Sequence, residues 1–321
     1  MENSMIEALK NSLYEKITVY LDEDTKGSLL KDQRDFEIED ISKFINRLVE
    51  NYVTEYFDIV YGSVPDIMRK LEEAGVGINN IEQLAKSIAF AKSSSVGSGN
   101  KLREKINFRL QKKVRNKAIE ALCNGPTSLD ISSFFRSMFL SYLSFPVYKR
   151  EQFIYKKEID SINKIIQNGE KMNYTNKDNN HSHFFNPYII DHSPHELFNY
   201  LIGQFDHGDR HNTSIRVSKI KEIVPIHERS SFSGSFYECY EIIRKNGIQF
   251  GGIDEVLSRK VVLNEEQYRQ YHRRYLDRPI IIREEIEDGM HICHFNCSEF
   301  QLRAYFIPFD NHDNRISIEL D

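Results

Sequence analysis

The segments DISKFINRLVENYV (residues 40–53) and DISSFFRSMFLSYL (residues 130–143) follow one plan, 90 positions apart. In each, an aspartate precedes apolar residues at i, i+3, i+4 and i+7 spacing, which predicts an N-capped helix with one apolar face. The matched apolar positions are Ile41, Phe44, Ile45, Leu48, Val49, Tyr52 and Val53, then Ile131, Phe134, Phe135, Met138, Phe139, Tyr142 and Leu143. Seven matches in register indicate an internal duplication.

A short strand is predicted upstream of each helix, in KITVYL (residues 16–21) and in KINFRL (residues 105–110). Apolar and polar residues alternate strictly in both, as in a strand that buries one face. A mixed helical segment separates each strand from its helix, so the order strand, helix, helix occurs twice. One copy cannot bury its own apolar face, whereas two copies can if their strands pair antiparallel and their helices interlock.

This repeated pattern resembles the ribbon-helix-helix family, whose paired strands enter the major groove of DNA. The resemblance covers about residues 15–57 and 101–145, and the two copies are assigned to residues 1–57 and 101–157. Residues 58–100 form a helical insert, with a break near Gly75 and Gly77, and a Gly/Ser linker. Whether the unit closes within one chain or between two chains stays open. The alternative is two unrelated segments that contribute only core.

The two copies differ in the sign of their net charge. The chain has a net charge of −5, but residues 16–57 hold six basic and ten acidic groups, and residues 101–157 hold thirteen basic and four acidic groups. Nucleic acid is therefore expected mainly against the second copy, because phosphate binding needs positive surface. The candidate contacts there are Lys105, Asn107, Arg109, Lys112, Lys113 and Arg115. A solvated basic face is the alternative, and Asp40 and Asp130 would repel phosphate from the helix N-termini.

The second half predicts a small β-barrel. Residues 158–190 are interpreted as a linker, because residues 168–186 are rich in Asn, Lys, Asp and His. Strands at 197–205 and 213–220 flank the turn sequence HGDR and form a hairpin. Further strands are expected at 278–286, 291–296 and 301–309, which together give a barrel domain over residues 191–321.

Residues 187–318 resemble the WYL domain, an Sm/SH3-like barrel of bacterial regulators. The resemblance rests on Asn199-Tyr200-Leu201, on Arg216 with Lys219-Ile220, and on EFQLRAYFIPF at residues 299–309. It implies a groove for nucleic acid or nucleotide-like molecules, where Tyr200 stacks a base and Arg216 and Lys219 hold phosphate. The nearby Arg210 and His211 join this candidate nucleic-acid site. The alternative is a core role for Tyr200 and a surface salt bridge for Arg216.

The predicted fold class is α+β: a duplicated, mainly helical ribbon-helix-helix unit followed by a WYL Sm/SH3-like small β-barrel. This architecture resembles WYL-domain regulators that include the accessory proteins of type VI-D CRISPR systems. The resemblance implies binding of single-stranded RNA, with DNA possible, a CRISPR effector nuclease as partner, and a homodimer. The alternatives are a DNA-binding transcription regulator with WYL as the ligand-sensing domain, and a protein-interaction module.

Enzyme motifs are not found in the sequence, which contains no nucleophile elbow, His-Glu-x-x-His or phosphate loop. We therefore expect a protein that is not an enzyme and has no catalytic residues and no cofactor. Cys293 and Cys297 supply only one half of a zinc-type pairing, so no metal is expected either. The sequence shows no apolar run of membrane-spanning length and no signal-peptide pattern, and its four cysteines favour a cytoplasmic protein without membrane contact.

Overall fold

A computed structural model describes most of the 321 residues. The described ranges are 13–75, 81–94, 104–123, 130–192, 198–206, 212–234, 236–246, 257–274, 278–297, 299–309 and 316–320. The chain divides into two compact units, Met1–Lys156 and Lys157–Asp321.

The first unit contains two strands and seven helices among its described residues. In chain order they are β1 (Ile17–Leu21), α1 (Glu23–Asp35), α2 (Ile41–Tyr61), α3 (Val64–Glu73), α4 (Ile81–Ser94), β2 (Glu104–Phe108), α5 (Lys112–Cys123), α6 (Ile131–Leu143) and α7 (Val147–Ile154). The order strand, helix, helix therefore occurs twice, as predicted. The insert between the copies supplies α3 and α4, which are separated near Gly75 at a positive φ of 77°.

The two strands pair antiparallel within the one chain. Ile17 lies opposite Phe108, Val19 opposite Ile106, and Leu21 opposite Glu104. The apolar side chains of both strands are buried, since strict alternation turns them all to one face of the two-stranded sheet. Both strands of this sheet therefore come from a single polypeptide.

The duplicated helices begin as the sequence predicts. The Asp40 carboxylate accepts the backbone N–H of Lys43 at 2.8 Å, and the Asp130 carboxylate accepts that of Ser133 at 3.0 Å. Helix α2 continues past Val53 to Tyr61 because Tyr56 and its neighbours Phe57 and Val60 prolong the buried apolar stripe. These helices meet in an aromatic core.

A buried ion pair links three helices of this unit. The Asp32 carboxylate on α1 is 2% exposed and lies 3.1 Å from the Arg150 guanidinium on α7. The Tyr142 hydroxyl on α6 donates to the same carboxylate at 2.9 Å. Burial nevertheless raises the pKa of Asp32 to about 6, because desolvation outweighs the attraction of Arg150.

The second unit contains two sheets. Its described elements are α8 (Lys156–Asn168), β3 (Glu170–Asn176), β4 (Ser182–His192), β5 (Asn199–Phe205), β6 (Asn212–Arg216), a 3-10 turn (Val217–Lys219), β7 (Ile220–Arg229), α9 (Phe236–Asn246), β8 (Leu257–Leu263), α10 (Glu265–Arg273), β9 (Arg283–Glu287), β10 (Met290–Cys297), α11 (Glu299–Phe306), a 3-10 turn (Ile307–Phe309) and β11 (Ser317–Leu320).

The first sheet corrects the prediction of a linker at residues 158–190. That stretch forms most of α8, all of β3 and most of β4, and these strands join the five-stranded order β6-β5-β4-β3-β7. Met172, Tyr174 and Phe185 are buried in its core together with Ile162 of α8. The polar composition misled the interpretation because the stretch has few apolar side chains: Met172, Tyr174 and Phe185 are buried, whereas Phe184 is 44% exposed.

The predicted hairpin around the HGDR turn is present, since β5 and β6 pair antiparallel. The turn itself, residues 207–211, lies outside the described residues. Strand β5 is buried along nearly its whole length, with six of its seven residues inaccessible. Gly203 sits there opposite Pro187, next to a register shift between Pro187 and Ile189.

The second sheet has the order β11-β8-β10-β9 and is not an extension of the first. Its elements follow the order β-α-β-β-α-β, a known split βαβ arrangement. The predicted strand at 301–309 is wrong, because this stretch forms the end of α11 and a 3-10 turn. Leu302, Tyr305, Phe306 and Phe309 are buried at helical spacing. With helical and sheet regions largely separate along the chain, the fold class is α+β.

Candidate nucleic-acid interface

The outward side of the β1–β2 sheet is the strongest candidate for contact with nucleic acid. We call it the ribbon face, which consists of Lys16, Thr18, Tyr20, Lys105, Asn107 and Arg109. Tyr20 is 51% exposed and lies opposite the exposed Lys105 in the strand register. Thr18 and Asn107 form the next cross-strand pair on this face, and the Thr18 hydroxyl donates a hydrogen bond of 2.8 Å to the Asn107 side-chain oxygen.

Three predicted residues, Lys105, Asn107 and Arg109, are thus brought together. The side chains of Lys105 and Arg109 form no ion pair with any described residue, whereas the neighbouring Glu104 is paired with Lys26 at 2.8 Å. Pairing with Lys26 also lowers the pKa of Glu104. The nearest carboxylate in the strand register is therefore neutralised by another lysine, and the positive groups of the ribbon face remain accessible.

The predicted residues of α5 differ in their availability. Lys112 is exposed at the start of the helix, and Lys113 lies 3.3 Å from the Glu50 carboxylate while staying 83% exposed. Such an exposed pair is weak, so Lys113 can exchange this partner for a phosphate. The Arg115 guanidinium instead packs 3.7 Å from the ring centroid of Tyr14. Arg115 is therefore largely occupied within the unit.

The N-termini of α2 and α6 offer no anion site, although helix N-termini commonly bind phosphate. The carboxylates of Asp40 and Asp130 already accept the first free N–H groups. The capping hydrogen bonds lower the pKa of Asp130, so it carries negative charge at neutral pH. A phosphate near these helices would therefore have to be held by side chains, such as those of the ribbon face or of Lys112 and Lys113.

The predicted groove of the second unit is not open to a base at Tyr200. Its side chain is only 4% exposed, because β5 lies inside the sheet and its residues are covered on both faces. Tyr200 is thus a core residue in this structure, and the expectation that it stacks a base is corrected. The neighbouring Asn199 is buried as well.

The cations expected at that groove either have local partners or fall outside the described residues. The Arg216 guanidinium stacks on the ring of Phe198 at 3.6 Å, and the Lys219 ammonium lies 2.9 Å from the Asp178 carboxylate. Arg210 and His211 lie outside the described residues. Arg216 and Lys219 therefore have local partners that a phosphate would have to replace.

Sequence reasoning missed Lys16, Thr18 and Tyr20 as contact candidates. Their outward position was visible in the alternation of KITVYL, but the acidic total of the first copy directed attention to the second. Arg136 was also missed: its guanidinium donates to the Tyr20 carbonyl at 2.9 Å and so lies beside the ribbon face. No sequence signal links these two residues, which are 116 positions apart.

A separate cluster of titratable groups lies in the second unit around His291. Its two ring nitrogens lie 2.9 Å from a Glu284 carboxylate oxygen and 3.0 Å from one of Glu265, and its ring stacks on Tyr268 at 3.8 Å between centroids. The hydrogen bond to Glu265 raises the pKa of His291. The hydrogen bonds to His291 in turn lower the pKa values of both glutamates.

Replacing His291 with phenylalanine is expected to destabilise the protein most between pH 4.5 and pH 6.5, the ordinary pKa values of glutamate and histidine. Because folding raises the pKa of His291, its protonated form stabilises the folded state, and this stability is lost as the pH rises through the raised pKa. The lowered glutamate pKa values contribute stability that is lost as the pH falls through them. Urea unfolding across this range measures the effect. A constant difference at all pH values would contradict the assignment, and replacing the 83%-exposed His227 is the control.

In the described part of the chain, no group of three or more His, Cys, Asp or Glu side chains is placed to hold a metal ion. Cys293 and Cys297 are buried among apolar residues of the four-stranded sheet, and burial raises the pKa of each thiol to about 12. Among the described helices, none is long and apolar enough to cross a bilayer.

Several solved structures match this chain, among them the following two. A crystal structure of a CRISPR Cas-related protein superposes with a TM-score of 0.61 and 18% identity, covering 93% of this chain and 90% of that chain. Proteasome accessory factor B/C of Arthrobacter aurescens matches over 60% of this chain and 30% of that chain, with 10% identity and a TM-score of 0.22, which is too low to support any conclusion. No protein-family model and no curated protein matches the sequence. The chain therefore shares its fold, over nearly its whole length, with a CRISPR Cas-related protein of known structure.

Proposed function

We propose that this protein is a non-catalytic nucleic-acid-binding accessory protein whose preferred ligand is single-stranded RNA. The observation that carries the proposal is the ribbon face, where an exposed tyrosine stands among the cationic side chains of Lys16, Lys105 and Arg109. Cations hold the phosphates of a strand, and an exposed aromatic ring stacks an unpaired base.

Single strands suit this surface better than duplex DNA. Readers of duplex DNA with paired strands commonly work as symmetric units on two half-sites. Here Tyr20 on one strand faces Lys105 on the other, so the two halves of the ribbon face are chemically different. Asp40 and Asp130 also place negative charge where a duplex backbone would meet the helix N-termini.

The family assignment belongs to the same proposal. Two strand-helix-helix copies with antiparallel strands support a ribbon-helix-helix unit. In the second unit, a helix is followed by five antiparallel strands, and a 3-10 turn precedes the last of them. The last strand pairs back to the first. This arrangement supports an Sm/SH3-like barrel of the WYL type. This barrel would begin near residue 157, earlier than the sequence indicated.

A CRISPR effector nuclease is the partner we propose, because the fold is shared with a CRISPR Cas-related protein. The rival function is a DNA-binding transcription regulator, which the intact antiparallel ribbon favours. We also propose a cytoplasmic homodimer, for which sedimentation at several concentrations is the test. Incubation with labelled RNA and DNA in Mg²⁺ and Mn²⁺ tests the non-catalytic assignment, and cleavage would refute it.

Titrations with single-stranded RNA, single-stranded DNA and duplex DNA at several salt concentrations test the main proposal. We expect tightest binding to single-stranded RNA. Replacing Lys105 with alanine should weaken binding to all sequences alike. It should also reduce the steepness of the fall of log affinity with log salt concentration by about 0.7, since one phosphate contact is lost. Replacing Tyr20 with alanine should cost about 1–3 kcal/mol of binding free energy through lost stacking.

Lys70 on α3 is the matched control, because it is an exposed lysine away from the ribbon face. Its replacement by alanine should leave affinity unchanged. A preference for duplex DNA would favour the transcription regulator. Absence of binding to all three nucleic acids, or equal losses in the Lys70 and Lys105 variants, would refute the ribbon face as the binding surface.

A further inference from the structure

A cavity of about 560 Å³ opens in the first unit where α2, α4 and α5 meet. Its lining residues include the aromatic Phe57 and Tyr61, the basic Lys86 and Lys117, and the acidic Asp58 and Glu120. The volume falls within the range of small-molecule sites, about 300–1,000 Å³. None of these residues belongs to the ribbon face.

The duplication explains why there is space here. The strands of the two copies are offset by 89 positions, and the same offset relates Asp32 on α1 to Ala121 on α5. Beside Asp32, the side chains of Tyr142 and Arg150 fill the interior. The side chain of Ala121 is only a methyl group, and Ala121 lines the cavity. Helix α4, which belongs to the insert and has no counterpart in the second copy, contributes Lys86.

The apolar part of the lining is flat and aromatic. The rings of Phe57 and Tyr61 lie 5.3 Å apart between centroids at an angle of 38°, and the Lys86 ammonium lies 6.0 Å from the Tyr61 centroid. The Tyr61 hydroxyl is buried and has no hydrogen-bond partner in the described part of the chain. A planar ring system is the class of ligand that such a surface accommodates best.

The polar part of the lining offers both donors and acceptors. Two lysines balance two carboxylates, so the formal charges of the cavity cancel and do not favour a bare phosphate. Lys86 is held by Glu82 at 2.7 Å, and the Lys117 ammonium donates to the Glu50 carbonyl at 2.6 Å, which fixes both lysines near the cavity. Carboxylates accept from the amino groups of bases, and lysines donate to base carbonyls and ring nitrogens.

We propose that this cavity binds one nucleobase. The base comes either from a free nucleotide or from a strand of RNA, since both present the same ring and edge. The site is separate from the ribbon face and goes beyond the function proposed above.

Calorimetric titration of the full chain with AMP, GMP, CMP and UMP tests the proposal, with inorganic phosphate as the reference. We expect saturable binding of at least one nucleotide and none of phosphate. Replacing Ala121 with phenylalanine fills the cavity and should raise the dissociation constant about tenfold or more. Lys86→Met removes a donor without adding volume and should weaken binding in the same direction.

Two controls separate this site from the rest of the molecule. Lys70→Ala changes an exposed lysine of α3 that does not line the cavity and should leave nucleotide binding unchanged. Lys105→Ala should weaken RNA binding at the ribbon face but not nucleotide binding, so the two proposals can fail independently. If Ala121→Phe also weakens binding of a short RNA of the same base, the strand supplies the base; if it affects only the nucleotide, the free molecule does.

Three results would overturn the proposal. They are no binding of any nucleotide at about millimolar concentration, equal binding of inorganic phosphate, and unchanged binding in both folded cavity variants. Circular dichroism establishes that each variant is folded before it is titrated.

Discussion

Replacing Gly203 with alanine is expected to lower the free energy of unfolding by about 2–4 kcal/mol, because the site has no room for a methyl group. A Cβ atom there would lie 2.2 Å from the Asn186 carbonyl oxygen and 2.6 Å from a ring carbon of Phe185. The first obstacle is backbone of the paired strand β4, and the second is a fully buried ring. Relief therefore requires β4 and β5 to separate.

Urea unfolding of the full chain measures this loss, and Gly234→Ala is the matched control. A Cβ atom at Gly234 would meet nothing within 4 Å, so the change should alter stability by less than about 1 kcal/mol. Equal stability of the two variants would show that β5 does not approach β4 as closely as described.

Replacing Arg150 with alanine is expected to destabilise the first unit by about 3–5 kcal/mol at neutral pH, because it leaves the buried Asp32 without its positive partner. The loss should shrink near pH 5. Asp32 has a folded pKa of about 6, above its ordinary value of 3.8, so its protonated form favours the folded state and this contribution fades as the pH rises through 6. Without Arg150 the carboxyl retains its proton to a still higher pH.

Thermal and urea unfolding at pH 5 and pH 7.5 provide the measurement, with Arg69→Ala as the control. Arg69 has two carboxylate partners, Asp66 at 3.6 Å and Glu73 at 3.7 Å, but its side chain is 64% exposed. Water screens such pairs, so its loss should cost less than about 1 kcal/mol. Similar losses in both variants would contradict the distinction between a buried and an exposed ion pair.

The helical half could be predicted because its signals are local and repeated. The alternation in KITVYL and KINFRL and the apolar stripes after Asp40 and Asp130 specify strands and helices independently of their surroundings. Their repetition also indicated which strands pair. That pairing occurs within one chain was not predictable, since the same surfaces could meet between two copies.

The second half was harder because its signals conflict. In EFQLRAYFIPF, nearly every residue is compatible with a strand, and only the spacing of the buried Leu302, Tyr305, Phe306 and Phe309 reveals the helix. In residues 168–186, polar composition concealed two strands in which only Met172, Tyr174 and Phe185 contribute to the core. One long barrel domain was therefore predicted where the chain forms two sheets.

The candidate site was predicted only in part. Lys105, Asn107 and Arg109 follow from alternation, since a half-buried strand must expose every second residue. Tyr200 could not be placed in this way because β5 is covered on both faces, and alternation carries no information in such a strand. Contacts such as that between Arg136 and the Tyr20 carbonyl depend on tertiary packing alone.

The ribbon is made by one polypeptide, and its formation is therefore a first-order process that dilution cannot reverse. In a symmetric pair of chains every substitution would appear twice, on both sides of a twofold axis. Here a change at Tyr20 alters one half and leaves the other untouched, so each strand is free to evolve its own chemistry. For the nucleic-acid target that we propose, such a surface requires no palindrome.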